Sequence, residues 1–385
     1  MRPRRQVLSF TATVLSLLLA VGSSAGAASP KSRVGPDPKA LAAMVDRGVD
    51  YLTRHGQAED GSYSSFAGSG ITALATTALL RSGRSVNDPA VAKGLRYLEK
   101  YVQPNGGIHP PKSRLPNYET CVALLCLKEA NVDGRYDKLL KNAEARLRGL
   151  QWDEDKGKDQ SDLSYGGVGY GDKSRPDLSN TAFLLDAITA CKTCKDDPAI
   201  RKALTFVSRC QNLETEHNTT PFAAKVNDGG FYYTCTLSRM DKQRQTPEGG
   251  LRSYGTMSYA GLKSMIYAGL TEDDPRLKAA VGWIRKHYGV KSNPGMGTAG
   301  LYYYYHTFAK TMDVLGVDYF EDAKGVKHDW RKELAEQLAR RQQPGGSWVN
   351  KNPRWFETDP NLVTSYALLA LSYCRPPRTD SAKTD

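Results

Sequence analysis

The chain has 385 residues, 40 % of them hydrophobic, and a formal charge of +12. That length and apolar content can bury one large core, which excludes a low-complexity or disordered chain. The basic excess comes with no zinc-finger spacing, helix-turn-helix or aromatic-basic strand motif, so it reads as a solvated surface and excludes nucleic acid as a partner.

The first predicted element is an export leader over residues 1–27. Arg2, Arg4 and Arg5 form a charged start, Val7 to Gly22 is an apolar stretch too short to favour spanning, and Ala25-Gly26-Ala27 is a small-residue cleavage site. Removing these three arginines from +12 leaves +9. No later segment is apolar enough to cross a bilayer, so the expected location is a bacterial periplasm or the cell exterior. Residues 28–39 read as a linker, 40–375 as one domain and 376–385 as a polar tail.

From residue 40 onward the chain repeats. A small-residue helix recurs six times and can be aligned on a threonine: Thr72, Thr120, Thr181, Thr256, Thr307 and Thr364. Each copy follows a more charged helix with apolar spacing near 3.6, such as Leu41, Val45, Val49 and Leu52. Asn87-Asp88-Pro89, Asp196-Asp197-Pro198 and Asp273-Asp274-Pro275 predict capped starts for three of these charged helices, with Asp taking free amides and Pro at the first helical position. Within each pair lies a glycine turn followed by an aromatic or apolar residue, as in Gln57 to Tyr63, Gln103 to Gly107, Asn227 to Phe231 and Gln343 to Trp348. Six helical hairpins, apolar helix inside and charged helix outside, predict an all-α fold: an α/α toroid with an inner and an outer ring of six helices.

These turns and helix pairs resemble the prenyltransferase and squalene-cyclase repeat family, whose fold is such a toroid, over nearly the whole chain after the leader. The resemblance implies where chemistry would sit. In the cyclases of that family the third inner helix opens with Asp-x-Asp-Asp-Thr-Ala, and the middle Asp protonates an alkene. Here the stretch reads Asp177-Leu178-Ser179-Asn180-Thr181-Ala182, and Ser179 cannot supply a strongly acidic proton. The protein prenyltransferases bind zinc through an Asp and a Cys at the fourth inner helix and a His in Tyr-His-Thr on the fifth. This chain keeps Tyr305-His306-Thr307 but has Tyr254-Gly255-Thr256 in place of the other two ligands, and one ligand does not make a zinc site. No metal or other cofactor is expected.

The threonine alignment puts Glu119 and His306 just before the aligned residue in the second and fifth repeats, opposite each other in a ring of six. They are the candidate acid–base pair. Tyr118, Asp177, Ser179, Asn180, Tyr254 and Tyr305 are the candidate cavity-lining residues, set among 21 tyrosines whose faces suit an apolar or cationic ligand and whose hydroxyls suit a wetter one. Six convergent helix N-termini would favour an anion. The loop from Gln151 to Asp177 carries seven acids against four bases, which argues against a diphosphate at that mouth. Seven cysteines in an exported chain leave at least one unpaired. Cys210 with Cys235, and Cys191 with Cys194, are the disulfide candidates.

Two functional expectations follow. The first is a protein that holds an apolar or isoprenoid-like small molecule, or a protein partner, in the ring, with the family's active sites degenerate. The alternative is an enzyme of terpene-cyclase or carbohydrate-active type working through Glu119 and His306.

Overall fold

The computed structural model describes residues 34–191, 196–237 and 245–375. The leader 1–27, most of the linker, the tail 376–385 and Cys194 lie outside the described residues.

Helices alternate between two concentric rings. The outer ring is α1 (Pro38–Tyr51), α3 (Pro89–Glu99), α5 (Asp137–Arg148), α7 (Pro198–Arg209), α10 (Pro275–His287) and α12 (Trp330–Ala339). The inner ring is α2 (Gly70–Arg81), α4 (Pro116–Ala130), α6 (Leu178–Ala190), α9 (Gly255–Tyr267), α11 (Leu301–Leu315) and α13 (Pro360–Tyr373). A short α8 (Ala223–Val226) and a two-stranded hairpin, β1 (Phe320–Glu321) with β2 (Lys327–His328), ornament the connections. Inner helices touch in the order α2, α4, α6, α9, α11, α13, and α13 packs back onto α2, so the ring closes. The fold is the all-α toroid of six hairpins.

Sequence sorts the two rings. An outer helix buries one stripe: in α3, Val91, Leu95 and Leu98 are buried while Lys93 and Arg96 are not. An inner helix is buried nearly all round, as α2 is from Gly70 to Leu79, and its small residues let six helices meet around one axis. Each fully buried Leu or Val there contributes about 1.5–3 kcal/mol. Outer helices start as predicted, with Asp88, Asp197 and Asp274 accepting from the amides of Ala90, Ala199 and Arg276. Helix α1 starts the same way at Pro38, capped by Asp37, inside the segment read as linker.

The turns fasten neighbouring hairpins. Gln57 Nε2 donates to the carbonyls of Gly61 and of Ala90 at the start of the next outer helix. Gln151 does so to Gly166 and Ala199, and Gln211 to Gly229 and Arg276. Gln342, not the Gln343 quoted from the sequence, does so to Gly346 and to Met44 of α1, which joins the last hairpin to the first. Gly166 and Gly346 are left-handed (φ +82° and +87°), and a Cβ on either would run into the backbone of the next outer helix at Lys202 or Arg47.

Candidate functional site

On five of the six inner helices a hydroxyl accepts from a turn amide and so sets the helix's height in the ring. The turn amides of Tyr63, Ile108, Val168 and Trp348 donate to the hydroxyls of Thr72, Thr120, Thr181 and Thr364. In the fourth repeat Phe231 donates to Ser258, so the aligned residue is Ser258 and not Thr256, whose hydroxyl instead accepts from Asn293. In the fifth, the Tyr303 hydroxyl meets Ser179 Oγ at 2.8 Å, which puts Tyr303, rather than Tyr305, at the level of Ser179. The register read from the sequence was therefore wrong by two residues in these two repeats.

That shift separates the proposed pair. His306 lies three residues beyond Tyr303, about 4.5 Å deeper along the axis. Its ring packs against Tyr366 and Tyr373, with centroids 5.8 and 6.3 Å away. Burial, with Lys310 and Arg81 nearby, drives its pKa well below the usual histidine range, so the ring is neutral. Glu119 faces a different way. Its Oε1 accepts from the amide of Ser69 at 2.7 Å and its Oε2 from the Ser113 hydroxyl, so it caps the start of α2. Burial raises its pKa against these hydrogen bonds. Among the described residues His306 borders a small void on the axis that Glu119 does not line, and neither lines the chamber at the inner-helix N-termini.

At the inner-helix N-termini the lumen holds a chamber of about 210 Å³. Nine of its lining residues are aromatic: Tyr118, Tyr170, Phe183, Tyr233, Tyr254, Tyr303, Trp355, Phe356 and Tyr366. Ile71, Leu115, Met257 and Leu362 add aliphatic wall. Of the residues picked from the sequence, Tyr118, Ser179, Asn180 and Tyr254 line it. Asp177 does not. It caps α6, with Oδ1 accepting from the Asn180 amide and Oδ2 from Asn180 Nδ2, both at 2.8 Å. Burial outweighs those bonds and pushes its carboxyl up to about 6. Tyr305 also points elsewhere, its hydroxyl donating to Val290 O in the outer layer at 2.9 Å.

The chamber floor is aromatic. Phe183 stacks on Tyr303 at 5.9 Å and meets Tyr118 edge-on at 5.2 Å. Its outer wall is a loop strip in which Trp355 and Phe356 both adopt left-handed backbone (φ 57° and 61°), a conformation costing roughly 1–3 kcal/mol per residue. Glu357 anchors that strip: its Oε1 accepts from the first-turn amides of α11 at Tyr302 and Tyr303, and its Oε2 from Asn350. Glu357 lines the chamber, and burial raises its pKa. Among the described residues, the Oδ1 of Asn180 is the one buried polar atom on a chamber-lining side chain that lacks a hydrogen-bond partner.

Below the floor the lumen changes character. Asp186 on α6, Lys263 on α9 and Lys310 on α11 meet on the axis, both ammonium groups pairing with Asp186 Oδ1, Lys310 at 2.8 Å. Burial favours the neutral acid, but the two lysines outweigh it and hold Asp186 down at about 2. Burial in turn lowers Lys263 to about 8. The sequence reading missed this triad. Its signal was one charge inside each of three otherwise small and apolar inner helices: "FLLDAIT", "AGLKSMI" and "TFAKTMD".

Cys210 and Cys235 are buried and in hydrogen-bond contact, but as two free thiols and not the disulfide expected from the sequence; the long fourth connection brings Cys235 back over the end of α7. Cys191 has no disulfide among the described residues, and its candidate partner Cys194 lies outside them. Among the described residues no group of three or more His, Cys, Asp or Glu side chains could hold a metal ion, and no helix is long and apolar enough to cross a membrane.

No protein-family model and no curated protein matches this chain. Solved structures do. D-mannose isomerase superposes with a TM-score of 0.56 at 11 % identity, covering 88 % of this chain and 97 % of that one. The type II terpene cyclase MstE from Scytonema gives 0.51 at 14 %, over 87 % and 98 % of the two chains. Cellobiose 2-epimerase from Spirochaeta thermophila DSM 6192 gives 0.50 at 12 %, over 88 % and 98 %. At such identities the likeness is one of fold: this chain is an α/α toroid of the architecture found in type II terpene cyclases and in sugar isomerases and epimerases.

Proposed function

We propose that this protein, exported by its leader, takes an apolar molecule of isoprenoid character with one hydroxyl end into the aromatic chamber. The observation that carries the reading is the wall itself. Nine aromatic rings and several aliphatic side chains enclose the space, and a hydrocarbon body gains about 25 cal/mol for each Å² it removes from water. The unpartnered side-chain Oδ1 of Asn180 supplies one place for a ligand hydroxyl to donate.

The test uses farnesol as probe and tryptophan fluorescence as readout, since Trp355 lines the chamber. Saturable quenching, lost in Trp355→Phe, is the expected result. Absence of any response, together with a bare mass when the gently purified protein is weighed by native mass spectrometry, would overturn the reading.

A catalytic version of the same reading rests on Glu357, the one carboxyl among the chamber-lining residues, whose pKa burial raises. It replaces Glu119 and His306 as the candidate acid. Glu357→Gln is expected to keep farnesol binding within a few-fold and to abolish any conversion of the bound molecule, followed by mass spectrometry of extracted product. Unchanged conversion would remove Glu357 from the chemistry.

A further inference from the structure

The inner-helix C-termini end around a second cavity, of about 240 Å³, on the far side of the buried triad. Its lining is about evenly polar and apolar, where that of the first chamber is mainly apolar. Lys310 and Asp186 form its inner wall, and Arg81, Thr189, Asp313 and Tyr373 surround its opening. The charges there can be paired off. Lys263 borders only the small enclosed void between the two cavities, so it is the partner that neutralises Asp186. Lys310 shares the same carboxylate oxygen yet also borders the open cavity, so that Lys263, Lys310 and Arg81 against Asp186 and Asp313 leave one positive charge over. Arg81 adds a second cation: its NH1 donates to the Tyr373 hydroxyl at 2.7 Å, while its Nε meets Glu129 only at 3.4 Å on the exposed rim.

Six helix C-termini attract cations by themselves, which explains why lysine and arginine are tolerated here. It does not explain an open cavity bounded by both cations. Nor does it explain the buried Thr189 hydroxyl, which lines that cavity and has no hydrogen-bond partner among the described residues. We propose that this cavity binds a small singly charged oxyanion, a phosphate or carboxylate group, between Lys310 and Arg81, with the Thr189 hydroxyl as neutral donor. Asp313 on the same wall disfavours a multiply charged anion. The site is independent of the aromatic chamber, from which the Phe183–Tyr303 stack divides it.

Thermal unfolding of the mature protein at pH 7 in sodium phosphate, sodium acetate and sodium chloride of equal ionic strength tests this. A saturable rise in Tm of several degrees is expected in phosphate or acetate relative to chloride. Lys310→Met leaves Asp186 and Lys263 as a one-to-one pair, so it should fold with a normal Tm in chloride and lose the oxyanion response at least ten-fold. Arg81→Gln should lose it to a similar degree. The proposal is overturned if neither oxyanion exceeds chloride, or if both variants respond as the parent does. A farnesol response that persists in these variants would separate failure here from failure at the aromatic chamber.

Discussion

The two ends of the lumen each bury an aspartate on the same helix, and the two behave oppositely. Asp177 sits at the start of α6 among amide dipoles, and burial prevails over its hydrogen bonds to lift it to about 6. Nine residues on, burial also pushes Asp186 up, but two ammonium groups outweigh it and hold the carboxyl at about 2. Residue type, helix and degree of burial are shared. The difference is that dipoles near Asp177 cannot repay the loss of water, whereas full charges near Asp186 can. One end of the ring is therefore suited to exclude charge and the other to hold it.

The largest expected effect tests the charged end. Asp186→Ala strands Lys263 and Lys310 without their counter-ion and should cost about 3–5 kcal/mol in urea unfolding. A loss below about 1 kcal/mol would mean the charges are not locked together, and the contrast would collapse. The next effect is a pH profile. Asp177 binds its proton more tightly in the folded protein than the unfolded value of about 3.9, so it favours folding below that value. This contribution fades as pH rises through about 6, by roughly 3 kcal/mol in all. Asp177→Asn keeps an oxygen for the Asn180 amide and should remove that part of the slope between pH 4 and 6. An unchanged slope would place the titration elsewhere, with Glu119 and Glu357, whose carboxyls burial also raises, the groups to examine. The smallest effect is at the aromatic end: Tyr303→Phe loses one hydroxyl contact with Ser179 and should cost about 1 kcal/mol or less, with farnesol binding retained.

The toroid was legible in the sequence because it is written in repetition. The 3.6-residue period of the outer helices, the Asp-Pro starts and the glycine turns all recur, and each has a local physical cause. Register was less legible. Thr256 and Thr307 look like the aligned threonine, but the role passes to Ser258 in one case, since any hydroxyl can accept the turn amide. A slip of two residues turns a helix position by about 200°, enough to move Tyr305 from the lumen to the outer layer. Within the aromatic chamber, Tyr118, Ser179, Asn180 and Tyr254 could be read from their place near the helix starts. Trp355, Phe356 and Glu357 could not, because a non-repeating loop delivers them. Asp186, Lys263 and Lys310 are single charges on three separate helices, and only the packing of α6, α9 and α11 side by side brings them to one point.

The hydrogen bond from Gln342 to Met44 joins residues 298 apart in the chain. With α13 packed on both α1 and α2, it leaves the array of hairpins without a terminal unit. Open solenoids shield their two ends with polar capping repeats; here each hairpin is the cap of the next, and none is outermost. Losing any one of them exposes two interfaces together, so the ring should melt in a single step and not fray from an end. The natural chain ends then carry no architectural meaning. Joining them and cutting instead between α2 and α3, or in any other connection between hairpins, would give the same closed wall around the same lumen.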